Sequence, residues 1–186
     1  MTVPGTFDTS ARELIHAGLQ NLDEARSLFR QLSASGFDAA RCGLLLDALQ
    51  HVCDPDVALR NLVDIVNAQV SQGRALDDIV PDDTAFRQLV AVLGVSDAMG
   101  KLMRFRPDLV QAAATDHCNS HLYNHDQRRA HVLESVGADP NDRMSPTATM
   151  DLADAATALR RTYRNQLAAI IAQDTMSDDP IALQPR

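Results

Sequence analysis

Apolar residues recur along this chain at helical spacing. Phe86, Leu89, Val90 and Leu93 fall at 0, +3, +4 and +7, one face of a 3.6-residue period. Gly94 is expected to stop that helix by taking a left-handed conformation. Ser96 then suits the N-cap of a second helix, with Asp97 in its first turn, where the dipole favours negative charge. Ala98, Leu102, Met103 and Phe105 are expected to form the apolar side of this second helix. Pro107 disfavours helix at Arg106 but suits the first turn of a third helix running through Leu109 and Val110. Residues 86–111 therefore read as three short helices joined by sharp corners, which only tertiary packing could hold.

Upstream, Ser10 and Glu13 form a capping box. It should open one long helix that Gly36 ends, with Leu14, Ile15, Gly18, Leu19, Leu22, Ala25, Phe29 and Leu32 on its buried stripe. From Asp38 to Val52, Leu44, Leu45, Leu46 and Leu49 make a helix apolar nearly all round, which places it at the centre of the fold. Asp54-Pro55, a cap followed by a first-turn proline, starts a third helix with Ala58, Leu62, Ile65 and Val66 inside. The stretch 71–83, SQGRALDDIVPDD, is polar and punctuated by Gly73 and Pro81. It reads as a linker between an N-terminal helical subdomain, 1–70, and a segment 84–186, and its four aspartates read as solvated caps.

Residues 116–146 are the least regular. His117, Cys118, His121 and His125 have a spacing that zinc could use, but a structural site wants four converging ligands and no second cysteine pair exists. A polar loop and a short helix over Val132, Leu133 and Val136 is the reading adopted. Residues 137–146, GADPNDRMSP, are a turn-rich connection. The longest helix is expected at about 147–175, where Leu152, Ala156, Leu159, Tyr163, Leu167 and Ile170 step by 4, 3, 4, 4 and 3. At its rise per residue it would span on the order of 40 Å. Arg160, Arg161 and Arg164 form a tight basic group on it.

Composition sharpens this picture into an all-α bundle of about seven to eight helices. The 186 residues are 45% hydrophobic and only 4% aromatic, with no Trp and eight each of Gly and Pro, so the core is aliphatic and helix formers dominate. A formal net charge of −8 argues against nucleic acid and anionic membranes as partners. No apolar run is long enough to span a bilayer, and MTVPGTFDTS lacks the pattern of a secretory signal. Cys42, Cys53 and Cys118, an odd set without C-x-x-C, are expected to be reduced, buried or semi-buried thiols in a cytoplasmic protein.

Two stretches also resemble a known family. Leu89, Ala91, Val92, Leu93, Gly94, Ser96, Ala98, Leu102, Pro107 and Leu109 follow the order seen in the opening helices of glutamine synthetase adenylyltransferases. Leu159, Arg160, Arg161, Tyr163, Arg164, Leu167, Ile170, Ala172 and Asp174 are similar to that family's arginine-rich helix, which precedes the first catalytic domain. Asn165 and Ala169 stand where the family more often has arginine or a larger residue. Residues 10–70 resemble, more loosely, the extended N-terminal helices of actinobacterial members.

The resemblance implies a parent enzyme that transfers AMP from ATP to glutamine synthetase and removes it by phosphorolysis. It implies Mg²⁺ and ATP as cofactors, and glutamine synthetase and a PII-type nitrogen signal protein as partners. Family catalysis rests on a G-S-x-x-D-x-D pattern whose paired carboxylates hold Mg²⁺, and this chain lacks it. Asp54-Pro55-Asp56 is a D-x-D that reads as a helix cap, and Ser177-Asp178-Asp179 ends a helix with no strand beside it. No catalytic, cofactor-binding or metal residue is therefore assigned in this chain. Arg160, Arg161 and Arg164 are its candidate docking residues toward the rest of the parent enzyme. The alternative is a free-standing helical protein-interaction adaptor.

Overall fold

A computed structural model describes residues 9–75, 80, 82–114 and 125–176, with side chains described through 172. Among the described residues there are nine helices and no strand. They are α1 (Ala11–His16), α2 (Leu22–Ala34), α3 (Ala39–Leu49), α4 (Pro55–Ser71), α5 (Asp83–Val95), α6 (Asp97–Met103), α7 (Pro107–Ala114), α8 (His125–Ser135) and α9 (Leu152–Met176). The all-α expectation holds.

Local chemistry sets most starts. The Ser10–Glu13 capping box is complete, with Ser10 accepting from the Glu13 amide and the Glu13 carboxylate accepting from the Ser10 amide. Asp38, Asp54, Asp82 and Ser96 cap α3, α4, α5 and α6 as acceptors of backbone amides. Asp151 does the same for α9, whose first turn begins five residues later than the expected 147.

The expected single helix over residues 10–36 is two. Gly18 takes φ +82°, a left-handed conformation that an L side chain rarely adopts, and the chain turns there. Asn21 then caps α2 by accepting from the Glu24 amide at 3.3 Å. The apolar stripe continues across the break because both pieces bury one side in the same core, except that Ile15 and Gly18 are exposed.

The central helix is α5 rather than α3. Phe86, Leu89, Val90, Val92 and Leu93 are fully buried, and α5 packs against α3, α4, α6, α7 and α9. Gly94 does not stop it. The helix runs to Val95, and Gly94 is needed for close approach, since a β-carbon there would lie 2.8 Å from Val52 Cβ. Gly100 on α6 works the same way against Asn61, whose buried side-chain amide donates to the Leu93 carbonyl at 3.3 Å. The apolar side expected for α6 is mostly outside: Met99 and Met103 are buried, whereas Ala98, Leu102 and Phe105 are exposed.

One apolar core runs from Leu14 on α1 to Ala172 on α9, taking residues from both sides of the 71–83 stretch. A smaller cluster of Val136, Ala138 and Ala155, with Leu133 and Ala158 against it, joins α8 to the first half of α9. The connection between α8 and α9 is turn-rich as expected, with Asp142 accepting from the Met144 and Ser145 amides. Arg129 reaches across it to the carbonyls of Pro140 and Asp142.

Helix α9 is unbroken for 25 residues but buries only part of its expected stripe, with Leu167 packed against the core. Ala155, Thr162, Ala168 and Ala172 point inward, while Leu152, Leu159 and Tyr163 are exposed. Small residues inside allow α9 to lie close against α5 and α7.

Candidate functional site: an arginine-lined cleft beside α7 and α9

Pro107 places Arg106 just before α7 and Asp108 in its first turn, where the helix N-terminus favours a carboxylate. Arg106 grips Asp108 through two bonds, Nε to Oδ1 at 2.8 Å and Nη2 to Oδ2 at 2.6 Å. Across 53 positions of sequence, Arg161 Nε on α9 donates to the same Oδ2 at 3.1 Å. Two guanidinium groups on one carboxylate hold Asp108 down to a pKa of about 2, the Arg106 bonds being the larger cause. Charge-assisted, bidentate geometry of this kind fixes the planes of the groups it joins.

Arg106, Arg160, Arg161 and Arg164 then line an open cleft of about 530 Å³, with Thr157 beside them. Asp108 answers two of the four cations. Arg160 and Arg164 form no ion pair or hydrogen bond among the described residues; Arg160 is exposed and Arg164 half-buried. The cleft is thus a positive surface on an acidic chain, with two anchored and two unoccupied guanidinium groups. Such a surface can receive carboxylates or phosphates.

Of the docking residues read from sequence, all three line this cleft. Arg161 differs from its neighbours, being tied to this domain through Asp108. Arg106 and Asp108 were missed. Their signal was local, an Arg-Pro-Asp corner at a helix start, but the partner on α9 has no trace in local spacing.

Asp54 and Asp56 have structural partners. Asp54 accepts from the Val57 amide at 3.0 Å as the α4 cap. Asp56 accepts from the backbone amides of Gln20 and Asn21 at 3.0 and 3.3 Å, tying the α1–α2 turn to α4. These two carboxylates are directed to backbone amides. Ser177, Asp178 and Asp179 lie outside the described residues. So do His117, Cys118 and His121, while His125 opens α8 with a side chain 90% exposed. No group of three or more potential metal ligands occurs among the described residues. Cys42 is buried, and its burial raises the thiol pKa. Cys53 is exposed, against the expectation of a buried or semi-buried thiol, because it lies in the turn that follows α3. No described helix is long and apolar enough to cross a membrane.

Comparison with known proteins agrees with the two resembling stretches. The chain is 62% identical over 179 residues, 96% of its length, to the bifunctional glutamine synthetase adenylyltransferase/adenylyl-removing enzyme of Bifidobacterium longum. The protein of the same description from Bifidobacterium longum subsp. infantis is 60% identical over the same share of this chain, and that of Corynebacterium efficiens is 33% identical over 73%. No protein-family model and no solved structure matches the chain. The chain spans only 17% of the length of the Bifidobacterium proteins. With that identity along nearly all of its length, the chain belongs, as a segment, to the bifunctional glutamine synthetase adenylyltransferase/adenylyl-removing enzymes.

Proposed function

We propose that this chain is a non-catalytic helical segment, N-terminal in its parent, of an enzyme that attaches AMP to glutamine synthetase and removes it. The observation that carries this reading is the identity to proteins of that description along nearly the whole chain. ATP and Mg²⁺ belong, in this reading, to catalytic domains outside these residues, and glutamine synthetase and a PII-type signal protein are the parent's partners in a cytoplasmic setting. The scaffold role is supported by the use of Asp54 and Asp56 as acceptors for backbone amides. Arg160 and Arg164, with Arg161 held beside them, are the docking groups toward acidic or phosphorylated surface of the parent enzyme.

The test compares the full-length parent with the 186-residue chain, each incubated with glutamine synthetase and ATP or with adenylylated glutamine synthetase and phosphate. The parent is expected to turn over in both directions and the segment in neither. Turnover by the segment, abolished by Asp54→Asn, would overturn the scaffold role. A parent inactive on glutamine synthetase would overturn the enzymatic reading.

A further inference from the structure

Three large apolar side chains in the first half of α9 are exposed, whereas Leu167 and Ile171 further along pack against the core. Leu152 is 88% exposed, Leu159 40% and Tyr163 65%. With about 100° of rotation per residue, Leu152, Ala156, Leu159 and Tyr163 fall within an arc of about 60°. Ala168 and Ala172, which are buried, lie on the other side of the helix, and the buried Ala155 and Thr162 border the line about 40–60° from Leu159. Scattered exposed leucines are ordinary, but a periodic line of large apolar groups on one helix is not.

We propose that this outer stripe is an intramolecular interface, covered by part of the same longer polypeptide that lies outside these 186 residues. The occupant follows from size and charge. The chain accounts for 17% of the length of its Bifidobacterium relatives, so most of such a polypeptide is elsewhere. Arg160 and Arg164 border one edge of the stripe with no acidic partner among the described residues. The covering surface is therefore apolar at its centre and acidic along that rim. A second copy of this chain fits less well, because a self-complementary contact would set the same arginine-edged stripe against itself. The inference concerns assembly within the polypeptide and holds whatever the parent's substrate.

Hydroxyl-radical footprinting read by mass spectrometry tests it on unaltered protein. Tyr163 and Leu159 should be oxidised about tenfold more slowly in the full-length parent than in the 186-residue chain. Equal rates would overturn the proposal. Sedimentation of the segment over a wide concentration range is expected to show monomer. A dimer that Leu159→Glu abolishes would assign the stripe to a second copy and overturn the intramolecular occupant. The paired variant Leu159→Glu and Tyr163→Glu should leave the segment's melting temperature unchanged but lower that of the full-length parent. An unchanged parent would also overturn it. The parent's turnover assay, run alongside, separates failure of this interface from failure of the enzymatic reading.

Discussion

Gly94 and Val52 touch so closely that neither position can be understood alone. A β-carbon on Gly94 would sit 2.8 Å from Val52 Cβ and 3.3 Å from the Asp54 carbonyl oxygen. The glycine is inside α5, where alanine would favour the helix by about 1 kcal/mol. Overpacking opposes that gain with a cost of about 1–3 kcal/mol. Gly94→Ala should therefore be destabilising in chemical denaturation, and less so in a Val52→Gly background, which has no β-carbon to meet the new methyl group. A stabilised Gly94→Ala variant would mean that the contact is looser than the structure shows.

Asp108 links acid stability to the α7–α9 contact. Its folded pKa of about 2 lies below the ordinary 3.8. The group thus stabilises the fold above pH 4, and that contribution is lost as pH falls from about 4 toward 2. Asp108→Asn should cost on the order of 1 kcal/mol at neutral pH, since the groups are partly solvated. The gap between wild type and variant should close near pH 2. A gap constant across that window would remove Asp108 from the acid transition.

The arginines of the cleft should separate by their effect on stability. Replacing Arg160 and Arg164 by Ala should move the segment's stability by no more than about 0.5 kcal/mol, because neither has a partner to lose. Arg161→Ala should cost more, as it gives up the bond to Asp108. Urea titrations of the variants decide this, and equal losses at all three positions would contradict the pairing.

Asp56 should behave as a staple between turn and helix. Asp56→Ala leaves the Gln20 and Asn21 amides without their side-chain acceptor, at a cost of about 1 kcal/mol for bonds near the surface. Asp54→Ala should cost about 0.5–2 kcal/mol as a lost N-cap. Losses in both variants, read by thermal unfolding, would confirm structural roles for the pair.

The two described thiols should differ in reactivity. Cys53 is exposed and Cys42 buried, so a thiol reagent should label Cys53 in the native state and Cys42 only on unfolding. Peptide mapping of the labelled protein gives the order directly.

Much of this fold was legible because helix periodicity and capping are local. Ser10, Asp38, Asp54, Asp82 and Ser96 each sit three residues from the amide they receive, so their roles could be read from adjacent sequence. The class, the corners at Ser96 and Pro107 and the continuity of α9 followed from the same short-range rules. The kinship was legible in Leu89–Leu109 and Leu159–Asp174 for a different reason, the order of residue types over a long stretch.

What lay beyond the sequence was the choice of face and neighbour. Gly18 and Gly94 are the same residue, yet one turns the chain with a positive φ and the other admits Val52 from 42 positions upstream. A 4-3-4 spacing shows that α9 has an apolar line but not that only its Leu167 end meets the core, beside Ala168 and Ala172. That choice depends on how closely α5 and α7 approach, a property of the assembled helices. The cleft is of the same kind: Arg160, Arg161 and Arg164 could be singled out as a basic group from their sequence alone. Only the packing of α9 on α7 brought Asp108 to Arg161, and so divided three similar arginines into one anchor and two free cations.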